Sequence, residues 1–236
     1  MTGSVHYFPV ALPFLVVLAA LLGIVMGMVA ARLLSVASAG LGISTRSMLA
    51  VLVLSLLGSY INVPLAHLPE RQVSAAAEVT YFGMRYVIPV ITDWPATVIA
   101  INVGGAIIPI LLSLYLMIRN RLYGLSLAGV VIVAAVCHQL AEPVPGLGIA
   151  LPVFVPPLVS ALVALLLSRQ HGGALAYISG SLGTLIGADL LNLDNVRGLG
   201  APIASIGGAG TFDGIFVTGL LAVIYAGLFT PRKSAR

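Results

Sequence analysis

Charge is scarce in this chain. Only 8% of its 236 residues are Asp, Glu, Lys or Arg, while 60% are hydrophobic. A soluble domain of this size carries roughly a quarter charged residues. Too little polar surface is available to coat a water-soluble globule, so lipid is the expected solvent. Cysteine is rarer still. Cys137 stands alone, which excludes an intramolecular disulfide and leaves the redox compartment unread. The 11 basic residues outnumber the 7 acidic ones, but they are scattered singly at the ends of apolar runs. They form no phosphate-tracking patch, so no nucleic-acid partner is expected. The glycine-rich string GGAG at Gly207–Gly210 lacks the Lys-Ser/Thr ending of a phosphate-cradling loop. No Ser-His-Asp arrangement stands out, and no cofactor is expected.

Long apolar runs are what the chain has instead. The N-terminus, MTGSVHYFPV, has no basic stretch, and its apolar run exceeds the roughly 7–15 residues of a secretory-signal core. It reads as a retained first span. Seven stretches approach the about 20 apolar residues of a spanning helix: Phe8–Leu34, Met48–Leu65, Thr97–Ile118, Leu125–Ala141, Ile149–Ser168, Ala174–Leu191 and Ala204–Phe229. The expected fold is an all-α membrane protein, one polytopic domain over residues 1–236, with about seven transmembrane helices.

Lys and Arg in short loops set the orientation. With the N-terminus outside, Arg32, Arg46, Arg119, Arg121, Arg169, Arg232, Lys233 and Arg236 fall on the cytoplasmic side. Only Arg71, Arg85 and Arg197 fall outside. The expected location is thus a cell membrane, multi-pass, N-terminus out and C-terminus in, with lipid as the first partner. The same arrangement places Glu70, Glu78, Asp93, Glu142, Asp189, Asp194 and Asp213 in outer loops or outward halves of spans. The longest loop, about residues 66–96, contains EVTYFGMRYVIPVI, whose Val, Ile, Tyr and Thr surround Phe82-Gly83. That pattern predicts a short extracytoplasmic β-hairpin, with Pro89 holding the second strand to an edge.

Asp189 ends the sixth stretch in GTLIGADLLNLD, and Asp213 lies in the seventh within SIGGAGTFDGIFVTG. An ionisable group at membrane depth costs about 2.5–3.5 kcal/mol on insertion scales, so it needs a partner, a water cavity or a neutral state. The two stretches form a hairpin with its turn outside, which makes the aspartates candidate neighbours. Two adjacent carboxylates in a low-dielectric site do not both ionise. One then serves as acid and the other as base on a shared water, the requirement of aspartic proteolysis. Gly207, Gly208, Gly210 and Gly214 give room for backbone or water to approach, and Phe212 precedes the second aspartate.

Gly187-Ala188-Asp189 resembles the G-x-G-D motif of the presenilin and signal-peptide-peptidase class of intramembrane aspartyl proteases, with alanine for the second glycine. Phe212-Asp213 resembles their Tyr-Asp motif, and Ala150-Leu151-Pro152 is a scrambled form of their Pro-Ala-Leu motif. The order of the two aspartate spans is reversed here. The resemblance implies Asp189 and Asp213 as catalytic residues and a membrane-embedded peptide as substrate. Over a larger part of the chain, INVGGAIIPILLSLYL, VPGLGIALPVFVPPLVSAL and GTLIGADLLNL leading into GAPIASIGGAGTFDGIF resemble an uncharacterised family of prokaryotic integral membrane proteins. That likeness implies a membrane location and no activity.

Other expectations stand beside the dyad. Ser179, Gly183 and Gly187 recur every four residues, as do Gly210, Gly214 and Thr218, and such small stripes let helices pack closely. If the two stripes face each other, Asp189 points elsewhere, because it lies about 200° around the helix from Gly187. Asp213 and Thr211 also suit a helix cap after a glycine break. His138 and Glu142, four apart, are expected on one helix face. They form a polar pair there, and only with an aspartate would they approach a metal site; no metal ligand set is assigned. Asn102 is a lone amide in INVGG suited to bonding across helices. Three functions remain open: a hydrolase, a small proton- or cation-coupled transporter or channel using the same carboxylates, and a non-catalytic scaffold. The oligomeric state is not readable.

Overall fold

The computed structural model describes residues 12–67, 71–81, 84–94, 98–144, 148–196, 203–208 and 214–229. The main helices are α1 (Leu12–Leu41), α2 (Thr45–Gly58), α3 (Ile108–Asn120), α4 (Tyr123–Leu140), α5 (Val155–Leu167), α6 (Gly172–Thr184) and α8 (Gly214–Phe229), with one short turn α7 (Leu193–Val196). Each main helix overlaps one of the apolar stretches read from the sequence. Among the described residues, four helices are long and apolar enough to cross a membrane: Phe14–Leu41, Val103–Asn120, Tyr123–Leu140 and Gly172–Asn195. Thr45–Gly58, Val155–Leu167 and Ile215–Gly227 are apolar but shorter. The outer surface of this bundle is itself apolar, with Leu111, Leu127, Leu162 and Leu166 more than half exposed.

Helix ends follow from local chemistry. Gly42, at φ 68°, takes the left-handed conformation that closes α1, and the Ile43 amide reaches back to the Ser38 carbonyl at 3.0 Å. Ser44 then starts α2 by accepting the Ser47 amide through its side chain. Pro156 and Pro157 open α5, where a missing N–H costs nothing.

The middle of the bundle is α6, which packs against α3, α4, α5 and α8. Most of its residues are buried on every side, and small residues make this possible. Gly183 and Gly187 lie against Val133 and Ala134 of α4, and Ser179 lies against Gly129 of the same helix. Gly180 faces Ser160 of α5 and Gly219 of α8. At the end of the bundle where α1 turns into α2, the backbones of Gly40 and Gly173 touch. Around Tyr177, fully buried, cluster Ala37, Met48, Leu112, Leu116, Val130 and Val223 from five helices.

At the opposite end the expectation of helix throughout is corrected. The stretches read as Met48–Leu65, Thr97–Ile118 and Ala204–Phe229 are part helix and part strand. Strands β1 (Asn62–His67), β4 (Val98–Asn102) and β7 (Ile203–Ile206) form one sheet with β4 in the centre, antiparallel to β1 and parallel to β7. Pro64 lacks an amide and sits in edge strand β1, next to an irregularity in the register. The β-branched residues Val98, Ile99 and Ile101 suit the paired central strand.

The expected hairpin is present and longer than read: β2 (Arg71–Tyr81) pairs antiparallel with β3 (Met84–Trp94), and Pro89 lies opposite Ala76 in this two-stranded ladder. His67 opposes Val98 and Arg71 opposes Trp94, with three residues between His67 and Arg71 and three between Trp94 and Val98. A small ladder of β5 (Glu142–Val144) with β6 (Gly148–Ala150) joins α4 to α5.

Close backbone approach gives a direct test. A Cβ on Gly173 would meet the backbone of Gly40, whereas Gly124 has open space around it. Gly173→Ala is expected to cost about 1–3 kcal/mol, seen as a lower thermal midpoint in detergent. Gly124→Ala is expected to leave the midpoint unchanged or raised, by up to about 1 kcal/mol.

Candidate functional site

Asp189 closes a π-helical turn, Leu185–Asp189, that continues α6. Turns of this kind insert a residue into the α-helical ladder and recur at functional sites. Gly187 in the same turn presses against the backbone of Ala134, so this face of the helix belongs to α4. The Ser179-Gly183-Gly187 stripe therefore packs on α4, not on α8 as the paired-stripe expectation required. With that face occupied by α4, Asp189 turns the other way. Its Oδ2 accepts the Gly207 amide at 2.7 Å, across 18 residues of sequence.

Gly207 is where glycine is indispensable. Its φ is +92°, and that of Gly208 is +86°. A Cβ on Gly207 would collide with Ala106 and with the Gly105 carbonyl carbon. Gly208 completes the turn by donating its amide to Ser205 at 3.2 Å. The Gly207 amide is thus held between a carboxylate and a second π-helical turn, Val103–Ile107.

Asn102 organises that second turn. It is fully buried, and both ends of its amide are used. Oδ1 accepts the Gly105 amide at 2.8 Å, capping the turn. Nδ2 donates to the Ser59 carbonyl at 2.8 Å and to Asn62 Oδ1 at 3.0 Å. Ser205 Oγ donates to the same Asn62 oxygen at 2.7 Å. One amide oxygen therefore collects a donor from β4 and a donor from β7, and side chains bind all three strands together. Ser55 adds a 2.6 Å bond from α2 to the Gly104 carbonyl.

His138 and Glu142 depart from expectation. α4 ends at Leu140, so Glu142 belongs to β5 and the two do not share a helix face. Both are exposed. His138 Nδ1 lies 3.2 Å from Nδ2 of Asn192, which also donates to the Gly187 and Ala188 carbonyls at 2.9 and 3.1 Å. No group of three or more His, Cys, Asp and Glu gathers among the described residues. Asn102, Gly187 and Gly208 stand around the Asp189 contact as described, while Gly210, Phe212 and Asp213 lie outside the described residues.

Sequence reasoning missed Asn62, Asn192 and Ser205, and it saw Gly207 only as room for others. A signal existed. Asn62, Asn102 and Asn192 each stand near one end of an apolar run, where an amide is costly unless bonded.

A family model described as "Protein of unknown function (DUF1614)" matches residues 56–225, which takes in Asn62, Asn102, Asp189, Ser205 and Gly207. No curated protein matches the chain. No solved structure matches it either.

Asn102→Ala leaves the Gly105 amide and Ser59 carbonyl without their partner. A loss of about 1–3 kcal/mol is expected, measured as a drop in thermal midpoint. Gly207→Ala adds a clash and a left-handed penalty at one position. It is expected to speed hydrogen exchange of the amide at 207 by displacing it from Asp189.

Proposed function

Since the chain belongs to the family described as "Protein of unknown function (DUF1614)", its activity rests on the site alone, and we propose an intramembrane hydrolase of the aspartyl-protease kind with Asp189 and Asp213 as its paired carboxylates. The observation that carries this is the Asp189 carboxylate, partly buried among apolar helices and directed at the Gly207 amide. Gly207 stands six residues before Asp213. On the far side, Ile215 is buried in the same apolar cluster as Leu185, which opens the turn bearing Asp189. Both flanks of Asp213 are thereby tied to the element that carries its proposed partner.

In this role one carboxylate takes a proton from water as the oxygen adds to a peptide carbonyl, and the other gives its proton to the carbonyl oxygen. Collapse of the resulting diol breaks the C–N bond: the departing amine receives the proton that the base had taken, and one diol hydroxyl returns its proton to the other carboxylate, which restores the pair. The substrate is a membrane-embedded peptide. With seven spans, the N-terminus outside and the C-terminus in the cytoplasm, the pair acts near the outer leaflet.

The strand-glycine-helix break between β7 and α8 favours a second reading, a proton- or cation-coupled transporter, since such proteins bind their ions at discontinuous helices. The full chain in liposomes separates the two. Cleavage of membrane-anchored peptides by the wild type is expected to fall at least about a hundredfold in Asp189→Asn and in Asp213→Asn. Cleavage that persists in both variants would sink the hydrolase. Ion flux abolished by the same substitutions, without cleavage by the wild type, would establish the transporter instead.

A further inference from the structure

At the end of the bundle away from Asp189, α3 meets α4 in a turn that carries two arginines and two tyrosines. Arg119 folds back over Tyr115, one helical turn away. Its Nη1 donates to the tyrosine oxygen at 3.0 Å, and its guanidinium carbon lies 5.7 Å from the ring centre. The guanidinium is held at a fixed depth rather than left to sweep the solvent. Arg121 follows with φ 53° and ψ 40°. It is the one non-glycine residue with positive φ among the described residues. Its amide reaches Ile118 at 3.2 Å, and the Leu122 amide reaches Met117 at 3.0 Å, a helix ending in which the left-handed position usually belongs to glycine. An arginine here carries a steric cost that glycine would avoid.

That cost sets a second guanidinium two residues from the first, and both are exposed. No carboxylate pairs with them among the described residues; Glu142, Asp189 and Asp194 follow the opposite ends of α4 and α6. Tyr123 is 54% exposed beside the turn, and the flanks of the two helices show Leu111 at 61%, Ile118 at 59% and Leu127 at 66%. Paired cations therefore stand at the head of an apolar surface.

We propose that the α3–α4 turn binds the phosphate headgroup of an anionic phospholipid through Arg119 and Arg121, with the acyl chains lying along the exposed leucines and isoleucine. The apolar flank selects a lipid over a free phosphate ester, which gains nothing from it. This site is independent of the Asp189 chemistry.

The test uses the full chain, stripped of lipid in a zwitterionic detergent and then given equal amounts of phosphatidylglycerol and phosphatidylcholine, with retained lipid counted by native mass spectrometry. Phosphatidylglycerol is expected to be retained over phosphatidylcholine. Arg119→Gln and Arg121→Gly are each expected to lower that retention about fivefold. Arg121→Gly also serves as its own folding control, because glycine accepts the left-handed backbone. Its thermal midpoint in lipid-free detergent is expected to equal or exceed that of the wild type. Equal retention of the two lipids, or unchanged retention in the double variant, overturns the site. Binding of glycerol phosphate as tight as that of phosphatidylglycerol overturns its assignment to a lipid.

Discussion

The amide of Gly207 donates to a carboxylate where a strand or helix would have offered it a carbonyl, and the architecture at that end of the bundle is arranged around this substitution. A buried N–H needs an acceptor. Gly207 has left the pairing of β7 and has not entered α8, so no ladder provides one. Asp189 does, at 2.7 Å. For the carboxylate to arrive there, the continuation of α6 must present its small face to α4 and its acidic face to the turn. The glycine at 187 secures the first condition by admitting the Ala134 backbone. For the amide to arrive there, the chain at 207 must be left-handed and pressed on Ala106. Each requirement rests on a missing side chain.

The sheet answers the same demand on a larger scale. Where α2 stops, and before the π-turn ahead of α3 and before α8 begin, backbone groups lose their helical partners. In an apolar setting the only remedy is to pair them with one another or with side chains. Strands β1, β4 and β7 do the former and the asparagines do the latter. Asn102 closes a helix start, a carbonyl and a neighbouring amide at once. Because its partners come from α2, β1 and the turn after β4, its loss would be felt in all of them.

Several features were legible before any coordinates. Asp189 and Asn102 stood out because a polar group inside an apolar run must be bonded to something. The β2–β3 hairpin showed in its β-branched and aromatic residues around Phe82-Gly83. The strands β1, β4 and β7 did not, since a short apolar run has no periodicity that separates a buried strand from a buried helix. The direction of Asp189 was also hidden. Two stripes of small residues told that helices pack closely, but not which helix each stripe meets. Facing α8, the Ser179-Gly183-Gly187 stripe would have turned the carboxylate away from the glycine loop, whereas α4 is the helix that fills that face.

The sequence by itself determined the apolar character of this chain's helices and the approximate position of each main one, because apolar length is a local quantity. It also marked the residues that had to be satisfied. Which groups satisfy them was decided only by the tertiary structure. A hydrogen bond from Gly207 to Asp189 spans 18 positions, and one from Ser205 to Asn62 spans 143. Such partners are chosen by how helices and strands pack, and pair choice leaves no trace in the spacing of residues along the chain.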